Sequence, residues 1–247
     1  MTQVSILTIT QHSRFDCLKL LYRMVQRQNY VQILEWVIVE GSQEQSLREK
    51  NIANITEFIN EKMDCTDIEM RFIVPESIVP ISNLRNIGND NCKGDIIVCM
   101  DDDDYYPSSR VPYAVKMLNK YNRDIAGCTK IYMYDYSKDI LYKFNGFHNN
   151  HSTNNCFAYK KSYLKNHRYK EGLNYAEESS FTNEFQEPMI QLETQNCIIQ
   201  TIHKENTVDK TNFLNNNNDI IEISDANKVI YGLMPIDLYE NMKELYS

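Results

Sequence analysis

The chain lacks the features that define secreted and membrane proteins. Its seven cysteines are odd in number and none forms a CxxC pair, so a zinc site and a disulfide framework are both disfavoured and a reducing compartment is favoured. No apolar stretch approaches the length of a bilayer span. The first residues enter a strand-like run directly, without the basic start and cleavage site of a signal peptide. We therefore predict a cytoplasmic protein with no integral membrane segment.

Positive charge is also in short supply. Lys and Arg number 26 against 34 Asp and Glu, which gives a formal net charge of −8. Polymeric nucleic acid is bound through clustered Lys and Arg, so we predict no nucleic-acid partner. A small phosphorylated ligand is compatible with this charge, because a divalent cation can join acidic side chains to phosphate oxygens. The length of 247 residues predicts a single domain over 1–247.

The first hundred residues alternate between strand and helix patterns. Apolar runs predict strands at 4–10, 36–39, 70–74 and 96–100, with amphipathic helices between them. This alternation is typical of βαβ units and predicts an α/β fold with a mostly parallel sheet. Ligands bind such sheets at the carboxyl ends of the strands, where Thr10, Glu40 and the run Asp101–Asp104 all fall.

The pattern changes after Pro107. A helix through Val111 and Leu118 is followed by shorter predicted elements. We predict strands at 131–134, 141–144, 156–159 and 197–202, a polar loop at 149–155, and helices at 177–185 and 237–246. The asparagine run 215–218 predicts a loop.

Four consecutive aspartates follow the apolar run 96–100. Neighbouring carboxylates repel one another and require a counter-charge or hydrogen-bond donors. A hard divalent cation, Mg²⁺ or Mn²⁺, suits oxygen ligands and keeps positions open for substrate phosphates. A solvated acidic loop or the charged start of a helix is the simpler explanation for an isolated acidic run. The position directly after a buried strand favours the cation.

Several segments carry a specific resemblance. They are Ser5–Thr10, Gln28–Tyr30, Glu35–Ser42, Asn83–Gly88, and Lys93–Asp104 followed by Pro107. Together they resemble family 2 glycosyltransferases, which carry an Ala-Arg-Asn-x-Gly segment and a Leu-Asp-x-Asp-Asp motif, a DxD motif, before a proline. The resemblance covers residues 4–107 well and continues more weakly to about residue 207.

The resemblance implies roles for the residues at the strand ends. Asp103 corresponds to the carboxylate that binds the metal ion on the donor diphosphate, and Asp101 and Asp102 contact the ribose or assist the metal. Glu40 corresponds to the residue that receives the nucleobase or ribose, although the family usually has Asp there. Thr10 lies at the wall of the donor base.

Further roles follow from three other segments. Arg85 corresponds to the family's arginine beside the nucleotide, with a surface ion pair as the alternative. Glu178 corresponds to the catalytic base, with Glu177 as the fallback; acids also favour the first turn of a helix for electrostatic reasons. His203, in the segment 203–207, corresponds to a histidine facing the metal or diphosphate, with a structural role as the alternative.

Other segments depart from the family or bear on the acceptor. Residues 9–14 replace the usual Pro-Thr-Tyr-Asn-Arg turn, so the sequence does not assure an aromatic wall for the base. His12 either supplies the flat surface or faces solvent. The segment 154–161 sits where the family binds its acceptor. Its aromatics, with Tyr132, Tyr134 and Phe147, either stack on a sugar or belong to the core.

The resemblance implies a GT-A type fold, a Rossmann-like, mostly parallel sheet flanked by helices with a small mixed acceptor-side subregion. Residues 1–107 would bind the nucleotide-sugar, 108–210 the acceptor, and 211–247 would form a C-terminal tail with a helix. It implies a metal-dependent (Mn²⁺ or Mg²⁺) inverting hexosyltransferase with a nucleotide-sugar donor, by default a UDP-sugar, and a glycan or glycoprotein acceptor.

Two alternatives stay open. A non-catalytic relative that binds a nucleotide-sugar or glycan is supported by the altered first turn and the Glu-for-Asp replacements. A sugar nucleotidyltransferase would carry a glycine-rich phosphate loop after the first strand, and residues 9–14 contain no glycine.

Overall fold

The computed structural model describes residues 1–203, 206, 213–214 and 219–247, with every side chain except that of residue 227. Strands and helices alternate through the first hundred residues, as the sequence predicts. The elements are β1 (Val4–Thr10), α1 (Phe15–Gln26), β2 (Ile33–Glu40), α2 (Gln45–Lys62), β3 (Glu69–Ile73), α3 (Ile81–Asn91) and β4 (Ile96–Cys99).

The remaining described elements are shorter. They are α4 (Arg110–Tyr121), β5 (Ile125–Gly127), β6 (Ile131–Asp135), β7 (Ile140–Phe144), β8 (Ala158–Lys160), α5 (Glu178–Phe181), β9 (Ile190–Gln191), β10 (Ile199–Ile202), β11 (Ile220–Ile223), α6 (Ala226–Leu233) and α7 (Ile236–Tyr246). None of the helices in the described ranges is both long enough and apolar enough to cross a bilayer.

The larger sheet has the order β3-β2-β1-β4-β8-β5-β9. Its first four strands are parallel, and β8 enters antiparallel between β4 and β5. Residues Thr10 and Glu40 are partners at the carboxyl ends of β1 and β2. The mostly parallel α/β sheet predicted from the sequence is therefore confirmed, and it brings the predicted strand ends to one edge.

Helices cover both faces of this sheet. Successive residues of β1 enter different apolar clusters, Ile6 on one face and Leu7 on the other. All seven residues of β1 are buried, which explains why its sequence shows no regular alternation of apolar and polar residues. The central strands are thus packed on both faces, and their carboxyl ends lie at one edge of the sheet.

A second, mixed sheet has the order β10-β6-β7-β11. Strands β10 and β6 are parallel, whereas β7 is antiparallel to both β6 and β11. Tyr105, directly after the acidic run, exchanges two backbone hydrogen bonds of 3.0 Å with Ile199 in β10. The small mixed subregion is therefore joined to the end of β4 at the acidic run itself.

Three sequence predictions need correction or lie outside the description. The helix predicted at 177–185 ends at Phe181, because Asn183, Glu184 and Phe185 have φ angles of 50°, 54° and 59°, a left-handed conformation that does not continue a helix. In the predicted polar loop, Asn154–Cys156 forms a 3₁₀ turn. The asparagine run 215–218 lies outside the described residues.

Candidate active site

A cavity of about 670 Å³ opens at the carboxyl ends of the parallel strands. Thr10 of β1 and Asp101 after β4 lie in its wall, together with Arg85 from α3. Glu177 and Glu178, which begin α5, lie in the same wall. Five of the predicted site residues, three of them acids, therefore share one cavity although they come from four separate segments of the chain.

Arg85 joins two of these acids. Its guanidinium donates to both carboxylate oxygens of Asp101, at 2.9 and 3.3 Å, and its Nε donates to Glu177 Oε1 at 3.5 Å. Burial alone would lower the pKa of Arg85, but Asp101 and Glu177 raise it well above its ordinary value. Arg85 is thus a permanent cation in the cavity wall. Arg85 does form an ion pair, but a buried one rather than the surface pair given as the alternative. Its position beside the nucleotide remains a prediction.

Glu177 and Glu178 occupy different environments despite being adjacent. Glu177 Oε1 also accepts a 2.8 Å hydrogen bond from Asn154 Nδ2, so its carboxylate is held by two donors. Burial and, to a smaller extent, the neighbouring charge of Glu177 together raise the pKa of Glu178 to about 7. A carboxyl with a pKa close to neutral is matched to proton transfer at neutral pH.

Arg14 is a site residue that sequence reasoning did not select. It is the last residue of the 3₁₀ turn after β1 and lines the cavity. Its Nη1 lies 3.4 Å from Asp102 Oδ1 and 3.2 Å from Asp103 Oδ2. Burial would lower the pKa of Arg14, but Asp103 and Asp102 raise it above its ordinary value. The available signal was its place in the turn that follows a strand ending at the crevice.

The four aspartates do not act as one cluster. Burial raises the pKa of Asp102 to about 8, against the opposing effect of Arg14. Asp103 Oδ2 lies 3.1 Å from His203 Nε2 and accepts a 3.3 Å hydrogen bond from Asn206 Nδ2. Asp104 turns into the fold, where it accepts hydrogen bonds from the Thr201 N–H at 2.9 Å and from the side-chain amide of Asn155 at 2.6 Å.

Glu40 is placed differently from the other predicted donor-binding residues. Its carboxylate accepts a 2.8 Å hydrogen bond from the Ser42 N–H and pairs with Arg48 Nε at 3.2 Å. Asn51 Nδ2 adds a third donor at 3.3 Å. These partners hold Glu40 against α2, outside the cavity lining formed by the described residues. Its role in donor binding remains a prediction.

The residues at Asp103 fit a divalent cation that is completed by its substrate. Within the described ranges, no group of three or more His, Cys, Asp or Glu residues is arranged to hold a metal ion. Asp103 and His203 supply one carboxylate and one imidazole, and Asp102 Oδ2 is buried without a hydrogen-bond partner among the described residues. Mg²⁺-type ions are commonly bound by one or two carboxylates plus substrate phosphates, so this small donor set is chemically compatible with such an ion when phosphates are present.

Part of the cavity wall is aromatic and includes Phe144, Phe147 and His151. Phe147 is 57% exposed and packs edge-on against Phe144 and His151, with ring centroids 4.9 and 4.7 Å apart. Burial, with His148 nearby, lowers the pKa of His151 to about 4, so its ring is neutral at neutral pH. Tyr134, predicted with Phe147 as a sugar-stacking residue or a core residue, is fully buried in the core.

Solved structures share this fold at low sequence identity. TarS 1–349 of S. aureus, in complex with UDP-GlcNAc, superposes with a TM-score of 0.60 at 18% identity and covers 83% of this chain and 60% of its own. Mannosyltransferase PcManGT of Pyrobaculum calidifontis, in complex with GDP-Man and Mn²⁺, gives a TM-score of 0.62 at 12% identity over 83% and 58%. The chain thus spans less than two thirds of either protein. The fold is that of a GT-A glycosyltransferase.

The family follows from the sequence. The profile of glycosyl transferase family 2 matches residues 54–179, just over half of the chain, which therefore belongs to that family. No curated protein sequence matches the chain. The matched range includes Arg85, the four aspartates and both acids at the start of α5.

Proposed function

We propose that the protein is a metal-dependent, inverting glycosyltransferase that moves a sugar from a nucleoside-diphosphate donor to a hydroxyl group of a glycan or glycoprotein acceptor. One observation carries the proposal. Glu178, whose carboxyl has a pKa of about 7, lines the same cavity as the Arg85–Asp101 pair, and Arg14 connects that cavity to Asp102 and Asp103. A base and an anion-binding wall therefore face one space of about 670 Å³.

The donor is assigned to the charged end of the cavity. Thr10, Asp101 and Arg85 line that end, and Arg14 adds a second cation there. Two guanidiniums in one wall suit a diphosphate, because guanidinium groups pair with phosphate oxygens in bidentate geometry. A UDP-sugar is the proposed donor, supported by the UDP-GlcNAc bound to TarS 1–349. Asp102 is proposed to contribute to donor binding indirectly, through its ion pair with Arg14.

Asp103 and His203 are proposed to hold Mn²⁺ or Mg²⁺, supported by the Mn²⁺ ion in the PcManGT complex. When bound, such an ion neutralises charge on the departing diphosphate. Arg85 and Arg14 orient the donor at its phosphates. Glu178 accepts the proton of the acceptor hydroxyl as the oxygen forms a bond to the sugar carbon. The bond from that carbon to the diphosphate breaks with inversion, and the diphosphate leaves with the bonding electron pair.

The acceptor is assigned to the aromatic end. Phe147, Phe144 and the neutral His151 offer apolar faces of the kind on which sugar rings pack. Asn154 and Asn155 line the same cavity. An uncharged, ring-rich surface next to the base favours a carbohydrate acceptor over a charged one.

A donor screen tests the proposal. Purified protein with Mn²⁺ or Mg²⁺ is given a panel of nucleotide-sugars, and release of nucleoside diphosphate is measured with and without added chelator. Asp103→Ala is expected to lower the rate on the order of 100-fold or more, because an electrostatic group at the departing charge is lost. Asp90→Ala is the control, since Asp90 is an exposed aspartate paired with Arg168 on the surface, and its rate should match that of the wild type.

Arg14 gives one specific reason to keep the non-catalytic alternative. Its guanidinium already supplies positive charge to Asp102 and Asp103. A protein that uses this arrangement only for binding would be stabilised against heat by one nucleotide-sugar and would release no diphosphate from it. Metal-dependent release from one donor, lost in Asp103→Ala and kept in Asp90→Ala, rejects this alternative.

A further inference from the structure

The last helix of the described chain packs beside the acidic run. Helix α7 lies against α1, and Asp237 near its start pairs with Arg23 at 2.6 Å and Arg27 at 2.7 Å. Leu238 and Met242 bury the inner face of the helix. This anchoring at one end fixes where the other end, at Tyr246, must lie.

Tyr246 contacts both residues that are proposed to hold the cation. Its ring stacks on the imidazole of His203, with centroids 4.7 Å apart and planes 29° apart. Its hydroxyl donates to the backbone carbonyl of Asp103 at 3.3 Å and lies 3.2 Å from Cys17 Sγ.

These contacts restrict the two groups in different ways. A ring packed on the face of an imidazole opposes rotation of that imidazole about its bond to Cβ, which keeps Nε2 of His203 directed at Asp103 Oδ2 at 3.1 Å. The hydroxyl restrains the backbone at Asp103 through its hydrogen bond to the carbonyl oxygen of that residue. Groups that orient metal ligands in this manner commonly change metal affinity 10- to 100-fold when they are removed, on the order seen for outer hydrogen-bond partners.

We propose that Tyr246 is a positioning residue for the cation site, and that helix α7 is a working part of that site. The inference rests on the proposed function, in which Asp103 and His203 bind the metal ion. It adds that the geometry of this pair depends on a side chain more than a hundred positions away in the sequence from Asp103, on an element that contributes no ligand of its own.

The test measures binding of Mn²⁺ in the presence of nucleoside diphosphate, by calorimetric titration with the heat of the nucleotide alone subtracted, so it does not depend on turnover. Tyr246→Leu removes the ring and the hydroxyl and is expected to weaken Mn²⁺ binding on the order of 10-fold or more. Tyr246→Phe keeps the ring and loses the hydroxyl, so a smaller loss of about fivefold is expected, the equivalent of one ordinary hydrogen bond.

Tyr231→Leu is the matched control. Tyr231 lies on α6, is 52% exposed, and packs edge-on against Tyr239 rather than against the site. The control is expected to bind Mn²⁺ as the wild type does. Binding of nucleoside diphosphate in the presence of chelator should be the same in all four proteins, because Arg85 and Arg14 are not altered.

The outcomes separate the inference from the proposed function. Equal Mn²⁺ affinity in the wild type, Tyr246→Leu and Tyr246→Phe overturns the inference and leaves the cation site intact. Absence of Mn²⁺ binding in the wild type overturns both. If Tyr246→Leu does not fold, Tyr246→Phe decides alone: an affinity equal to that of the wild type counts against positioning, and a weakened one at unchanged melting temperature supports it.

Discussion

Strands β2 and β4 lie on either side of β1, and an acidic residue stands at the end of β2 and shortly after the end of β4. Both acids are at the same edge of the sheet, yet their carboxylates have different surroundings. Glu40 at the end of β2 is enclosed by Arg48, Asn51 and the Ser42 N–H. Asp101 after β4 pairs with Arg85, and both of these side chains face the cavity. Each carboxylate has an arginine partner, but only the second pair is accessible to a ligand.

The difference shows what an acid at a strand end signifies. The topology of a parallel sheet brings such residues to one edge, and it does not decide which of them meet the substrate. That decision depends on the elements packed over the edge. Helix α2 covers Glu40 with a partner from its own first turns, whereas the space above Asp101 is left open between α3 and the start of α5.

The largest predicted effect is that of a substitution at Glu178, which lines the cavity. Glu178→Gln keeps the shape of the side chain and removes the base, so the turnover rate is expected to fall on the order of 10²- to 10⁴-fold. In the wild type the rate should rise as the pH rises through about 7, because the base acts only when deprotonated. Rates measured across the neutral range check both points. An unchanged rate in Glu178→Gln would remove this residue from the mechanism.

For Glu40, which is enclosed by its hydrogen-bond partners, the predicted effect is on the stability of the fold. Glu40→Ala leaves the buried guanidinium of Arg48 without its carboxylate partner, and a loss of about 3 kcal/mol in the free energy of unfolding is expected. The KM for the donor should stay unchanged at temperatures where the variant is folded. Chemical denaturation and donor kinetics measure the two quantities.

Glu69→Ala is the control for this substitution, because Glu69 is an exposed strand residue paired with Lys93 at 3.3 Å. It should change stability by less than about 0.5 kcal/mol. A raised donor KM in Glu40→Ala with stability unaffected would support the role predicted for Glu40 from the sequence and would break the contrast between the two strand ends.

The smallest predicted effect separates the two adjacent glutamates. The charge of Glu177 contributes to the raised pKa of Glu178, so Glu177→Gln should lower that pKa. Glu178 would then lose its proton at lower pH, and the rise in rate should move to lower pH with little loss at its plateau. A loss as large as that of Glu178→Gln, without a shift along the pH axis, would identify Glu177 as the base instead.

The sequence predicts the first half of the fold well for a physical reason. Strands buried on both faces are rich in apolar and β-branched residues without a regular polar alternation, and β1 and β4 are of this kind. Strand β5 was not predicted, because Ile125–Gly127 is too short to show a period. The helix predicted at 177–185 was wrong beyond Phe181, since the three consecutive left-handed residues Asn183–Phe185 have no clear signature in side chains other than glycine.

The site shows the same division. Residues inside the family's motifs, such as Arg85 and Asp101, were predicted and lie together in the cavity wall. Arg14 was missed because its partner Asp102 is 88 positions away. The enclosure of Glu40 by Arg48 was not anticipated either, although the two lie only eight positions apart. Pairings that depend on how a helix packs over a strand end are set by tertiary structure, which local patterns do not encode.

The contact between Tyr246 and Asp103 also sets an order of events during synthesis. The two residues are 143 positions apart. At ordinary rates of translation, the acidic run leaves the ribosome on the order of ten seconds before the tyrosine does. Throughout that interval a growing chain holds its aspartates without the ring and hydroxyl that brace them. The finished arrangement around Asp103 can therefore arise only after translation has passed α7.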